Sequence, residues 1–182
     1  MSDGITKRAG YLLDLSQKAN TEYIRFWINN IFLTWRWWLC VVLVVISWSL
    51  WFIFHKKEST YRLLLAGVVV MIISDLLNAF GSQAGLWSYN IDIDPFSPAF
   101  ITFDLSLLPI ATMTFLQYKP NINPIIKASI YSGIATFIAQ PIFAWLGIYN
   151  RNQWKDYYSF PIFIIIYLIA HFFATREYFD KL

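Results

Sequence analysis

The stretch MIISDLLNAF (71–80), GSQAGLWSYNIDIDPFSP (81–98) and AFITFD (99–104) decides how this chain is read. It joins the end of one apolar run to the start of another through a connection full of turn residues, aromatic rings and acids. Each run carries one carboxylate within it, Asp75 and Asp104. Outward from here the same alternation repeats, with apolar runs at 37–54, 63–80, 99–116, 128–149 and 157–175 parted by short polar links. Each run comes close to the ~20 residues that a helix needs to cross the hydrocarbon layer. Only helices and closed barrels satisfy the backbone in that layer, and none of the runs alternates with period two. The reading is all-α: a polytopic membrane helical bundle with a helix for each run, about five transmembrane helices, preceded by an amphipathic helix. Composition agrees, since 58% of the 182 residues are hydrophobic, 20% aromatic and only 14% charged, against about 25% charged in soluble domains.

Residues 1–36 form the interfacial segment and 37–182 the bundle. Tyr11, Leu12, Leu15, Tyr23, Phe26, Trp27, Ile31 and Trp35 lie among Lys18, Arg25 and Arg36, a mixture suited to a helix in the membrane interface. A soluble tail is the alternative. Trp35, Trp37 and Trp38 mark the membrane boundary, where indole rings settle. Lys7 and Arg8 are followed by YLLDLSQKANTEY rather than an apolar core, so no signal peptide is expected. The single Cys40 excludes an intrachain disulfide. A net charge of +3 is too small and dispersed for nucleic-acid binding. The expected partner is the lipid bilayer, with a small molecule, ion or lipid as ligand and a membrane protein as a further possible partner.

The links set the order. HKKESTYR (55–62) is short, which predicts an antiparallel hairpin of the first two spans. Gly81, Gly85, Pro95 and Pro98 punctuate the long connection, and YKPNINPIIK (118–127) is a second turn. Lys and Arg divide evenly between the two sides of the bundle. The 81–98 connection, with two Asp and no Lys or Arg, breaks the tie: it is placed outside and the C-terminus in the cytoplasm.

Polar residues inside the runs are the candidates for function. Asp75 and Asn78 are three apart on one helix face, with Ser82 a further turn on. Asp75 lies five residues from the end of its run and Asp104 five from the start of its own. Both therefore sit roughly 7.5 Å below the same surface, and Gln140 about 13 Å below it. Ionisable groups in a span cost ~2.5–3.5 kcal/mol at the bilayer centre and face protein or a water-filled cavity. The expected ligand-binding set is Asp75, Asn78, Asp104 and Gln140 beneath Trp87, Tyr89 and Tyr157, with Trp154 and Tyr158 completing an aromatic cap. If the carboxylates approach closely, one holds its proton.

Plainer roles stand beside these. Asp75 can hydrogen-bond across two helices, Asp104 can cap a helix start, and Trp87 and Tyr89 can anchor at the interface. Tyr167 and His171, one turn apart, read as a packing pair. Ser129, Ser132, Thr136 and Gln140 form a stripe suited to close helix packing, and Pro141 should bend that helix or free a carbonyl near Gln140. No phosphate loop, His-Glu metal motif, Cys pair or nucleophile elbow is present, and nothing names a cofactor or metal.

GLWSYN (85–90), FD-x4-P (Phe103, Asp104, Pro109), QYKP (117–120), W-x2-YYSF (Trp154, Tyr157 to Phe160) and YLIAHFF (167–173) occur in an order that resembles a family of small, uncharacterised five-helix integral membrane proteins of spore-forming Firmicutes, the bacilli and clostridia. The resemblance runs from about Leu63 to the end. It implies a bacterial cell-membrane protein and brings no activity. The long N-terminal segment departs from the shorter start of that family. A weaker likeness is to membrane-embedded carotenoid cyclase domains, but Pro109 is followed by Ile110 and Ala111 instead of an acidic pair, which argues against cyclisation. Three functions are compatible with these residues: a binding, sensing or transport component with an outward polar pocket; an intramembrane enzyme acting on a lipid or isoprenoid, with Asp104 as general acid beside Asp75; and a structural partner subunit docking through residues 1–36.

Overall fold

The computed structural model describes residues 2–97 and 100–176; Pro98 and Ala99, at the expected start of the third span, and residues 177–182 lie outside it. The described residues form six helices: α1 (Ser2–Asn30), α2 (Trp35–Phe54), α3 (Thr60–Gln83), α4 (Phe103–Gln117), α5 (Pro124–Trp145) and α6 (Ser159–Thr175). Short 3-10 turns at Lys57–Ser59 and Asp156–Tyr158 lead into α3 and α6. Local chemistry sets the ends. Thr34 Oγ1 accepts from Trp37 N at 3.4 Å to start α2, and Asn123 Oδ1 accepts from Ile125 N at 2.8 Å, with Pro124 in the first turn, to start α5. Gly85, at φ +70°, ends α3 in the left-handed region that favours glycine.

Four of the helices, counting the lead-in turns of α3 and α6, are long and apolar enough to cross a membrane: α2, α3, α5 and α6. The third apolar run makes a shorter helix, α4. Outward faces of these helices are mostly apolar, with Phe54, Phe80 and Trp145 each more than 70% exposed. So much unpartnered apolar surface calls for a non-aqueous neighbour.

Two helices carry an inserted π-helical stretch, Phe103–Leu107 in α4 and Ala135–Ala139 in α5. Each ends two residues before a proline, Pro109 and Pro141. A proline ring clashes with the carbonyl four residues back and offers no N–H. Widening the turn relieves this: Leu108 N bonds to Phe103 O and Gln140 N to Ala135 O, both spanning five residues. Pro141 thus acts through a widened turn at Gln140.

The core has two parts. Val70, Met113, Tyr131, Ile166 and Tyr167 centre one where α3, α4, α5 and α6 meet. Gly67 lets Met113 approach so closely that a Cβ there would lie 2.8 Å from its sulfur. The second part, with Trp27, Ile31, Cys40, Phe100, Phe143 and Ile148, lies toward the end of the bundle that holds the long connection. The hairpin expected of the first two spans takes another form: α2 packs on α4 and its π-helical stretch instead of on α3. Two bonds hold it there, Trp37 Nε1 to Ile93 O at 3.0 Å and Lys56 N to Gln117 Oε1 at 2.9 Å.

Helix α1 is exposed along most of its length and joins the body at its end, where the Trp27 indole donates to Asp92 O at 3.0 Å. A two-stranded antiparallel pair, β1 (Ser88–Tyr89) and β2 (Tyr149–Asn150), ties the long connection to the segment after α5.

Candidate functional site

Beneath that strand pair, between α3 and α6, lies a cavity of about 370 Å³. Its lining is mostly apolar and aromatic, and among the described residues Asp104 is the only formally charged side chain that lines it. Asn78, Asp104, Gln140, Trp87 and Tyr89 of the sequence-derived set line it, together with Trp154.

Asp104 is 4% exposed and occupies the π-helical stretch of α4. Leu108 N is turned to Phe103 and Pro109 has no N–H, so the Asp104 carbonyl loses its helical donor; Ser74 Oγ donates to it instead at 3.2 Å. The carboxylate Oδ2 accepts from Asn78 Nδ2 at 2.9 Å and from Phe100 N at 3.0 Å. The second bond reaches back from inside α4 to a backbone N–H that precedes the helix, so Asp104 ties down the entry to α4 without standing at its N-cap. Asn78 Oδ1 in turn accepts from Trp87 Nε1 at 2.7 Å. An indole can only donate, which fixes the Asn78 amide and aims its NH₂ at Asp104. Trp87 lies against α3 because position 81 is glycine: a methyl group there would overlap the indole ring.

The opposite wall is built on Ser159, whose Oγ accepts from Gln140 Nε2 at 3.1 Å and Trp154 Nε1 at 2.9 Å. Gln140 Oε1 is sealed from solvent without a hydrogen-bond partner among the described residues. Over the top, Trp87 meets Trp154 edge-on at 5.0 Å, and Tyr89 stacks on Phe100 at 4.2 Å and leans on Tyr149 at 5.7 Å. Burial pushes both phenols up, Tyr149 to about 12 and Tyr89 well above its ordinary value, so both are neutral. Asp92, in the same connection, is pushed up to about 8 by burial, against the opposing bond from Ile93 N.

Two of the expected residues stand apart. Asp75 does not line the cavity: Ser74, Asn78 and Gly81 make the face turned to it, and Asp75 lies one residue, about 100°, round from Ser74. Its Oδ1 is sealed from solvent without a partner among the described residues. Tyr157 is 53% exposed and packs edge-on against Tyr158 at 4.6 Å, outside the cavity. The intervening 3-10 turn carries the chain outward after Trp154.

Ser74, Ser159 and Tyr149 are lining residues that the sequence did not single out. Spacing four from Asn78 could have revealed Ser74; Ser159 and Tyr149 carry no local signal. The Ser/Thr stripe of α5 faces inward at Ser132 and Thr136, both fully buried. Tyr167 is also fully buried, against Tyr131 at 5.4 Å, whereas His171 lines a second, smaller hollow at the other end of the bundle. Among the described residues no three His, Cys, Asp or Glu side chains converge as metal ligands. Comparison of the chain with protein families, curated proteins and solved structures gives no match.

Proposed function

We propose that this chain is a multi-pass protein of the bacterial cell membrane that binds or senses a lipophilic molecule whose polar end donates hydrogen bonds, an amine or a hydroxyl. In this reading α4 is a fifth, shorter span, α1 lies in the interface, and the 81–98 connection faces outward. The observation that carries it is an apolar cavity holding one buried carboxylate and one unpartnered amide oxygen, Asp104 and Gln140 Oε1. Apolar pockets with a few placed polar groups are the usual form of small-molecule sites. A donor head supplies the partner that Gln140 Oε1 lacks and a further bond to the Asp104 carboxylate, and the aromatic cap suits a cation if the head is charged. Leu77 and Phe80 border the cavity and are themselves exposed on the flank of α3, which supports entry sideways from the lipid.

A second reading, acid catalysis on a lipid or isoprenoid, also draws on an apolar cavity that reaches Asp104. It is weaker, because Asp75 does not share the cavity and no partner acid stands beside Asp104 in the lining.

The test uses the purified protein in nanodiscs with dodecylamine, dodecanol and dodecane as probes. Saturable binding of the amine or alcohol, absent for dodecane and at least about tenfold weaker in Asp104→Asn, is expected. Asn can still accept both bonds made by Oδ2, so that variant should fold. Loss of membrane accumulation in both Asp104→Asn and Asp75→Asn would assign these residues to structure instead.

A further inference from the structure

A second hollow, of about 180 Å³, opens at the end of the bundle opposite the strand pair. Three cationic side chains from different parts of the chain line it, Lys56 after α2, Arg62 in the first turn of α3 and Lys127 in the first turn of α5, together with the His171 imidazole near the end of α6. Among the described residues no carboxylate lines it, and Ser59 and Thr175 add neutral hydroxyls. Lys127 is 6% exposed, so this cation is held inside the protein. Its Nζ donates to Tyr118 O at 2.8 Å and Leu116 O at 3.4 Å, the free carbonyls at the end of α4. Glu58 stands on the same side, but it is exposed and outside the lining. Arg62 and Lys56 form no ion pair among the described residues.

Like charges gathered in one partly enclosed space repel, and they repel more strongly as water is excluded. The arrangement is stable when an anion of matching size brings them together. Arg and Lys donors with the Ser59 hydroxyl, converging from several directions, match a tetrahedral oxyanion with several acceptor oxygens. We propose that this hollow binds a phosphate group. Basic pockets between helices on the cytoplasmic side hold anionic lipid headgroups, and in the proposed orientation, with the Lys- and Arg-free 81–98 connection outside, this opposite end of the bundle faces the cytoplasm. A phosphodiester of an anionic phospholipid and a free phosphate present the same oxygens here. This inference is independent of the ligand assigned to the Asp104 cavity.

The experiment is done on the full chain in nanodiscs. In one arm the discs contain phosphatidylglycerol diluted into phosphatidylcholine, and lipid retained by the protein is counted by native mass spectrometry. In the other arm the discs are pure phosphatidylcholine, and inorganic phosphate is titrated while the melting temperature is followed. Retention of phosphatidylglycerol over phosphatidylcholine, weakened about tenfold in Arg62→Gln, assigns the site to a lipid headgroup. A saturable rise in melting temperature with inorganic phosphate, absent in Arg62→Gln, assigns it to free phosphate. Arg62 is exposed and makes no helix-capping bond, so its variant should fold even if Lys127→Gln does not. No preference and no saturable shift in the wild type, or binding unchanged in Arg62→Gln, overturns the proposal.

Discussion

Asn78 carries more of the site than any other single side chain, because it joins the lid to the floor. Its amide takes the Trp87 indole N–H on one side and gives to Asp104 on the other. Replacing it with Leu leaves a buried donor and a buried carboxylate without this partner, each costing about 1–3 kcal/mol. Asn78→Leu should therefore lower the melting temperature and loosen Trp87, seen as a red shift in tryptophan emission. Gly81→Ala should do the same through overlap with the Trp87 ring, at about 1–3 kcal/mol; adding Trp87→Phe should recover part of the loss.

Asp92 gives a pH signature to the same region. Its folded value of about 8 lies above the ordinary 3.8 because of burial. As pH rises from about 4 the unfolded chain gives up this proton while the folded chain keeps it, so stability falls until about pH 8 and then levels. The melting temperature of the wild type should drop over that window more steeply than that of Asp92→Asn.

At the scale of elements, the π-helical stretches place Asp104 and Gln140. With Pro109→Ala, Leu105 O regains an i+4 donor, and the wide turn has no remaining cause. The expected result is a protein of equal or greater thermal stability whose Asp104 has turned from the cavity and whose dodecylamine affinity is lost. Retained affinity in Pro109→Ala would show that the π-helical turn does not position the carboxylate. The depth of Asp104, Asn78 and Gln140 could be counted from the ends of their runs, and the structure brings all three to one cavity. Asp75 stands outside the cavity because residues three apart on a helix still differ by about 60° in direction, and of that pair Asn78 is the one that lines it. A proline announces a disturbed turn without saying whether the helix kinks or widens. The strand pair is two residues per strand, too short to leave an alternating pattern.

Over the whole molecule, four long apolar helices and a belt of exposed Phe, Ile and Trp agree with the composition. The packing order was harder to read, since a short link does not oblige neighbours in sequence to touch. Here Trp37 and Lys56 tie both ends of α2 to the α4 side. Membrane orientation is testable by cysteine labelling in a Cys40→Ser background. Asn152→Cys should react with an impermeant maleimide on intact cells, and Asn121→Cys only after permeabilisation; the reverse would put the strand pair in the cytoplasm. Removing residues 2–25 takes away a helix that touches the body mainly through Trp27 and Ile31, which remain. The bundle should still fold, with weaker membrane-interface attachment; loss of a stoichiometric partner on this deletion would mark α1 as a docking helix.

The most direct test of the central claim is a crystal structure of the protein with 12-bromododecylamine, read by the anomalous signal of bromine. The account predicts a bromine peak within the apolar part of the cavity between α3 and α6, with the ammonium group beside Asp104 and Gln140. Saturating probe with no bromine peak in that cavity, or with the amine bound elsewhere and Asp104 untouched, would contradict it.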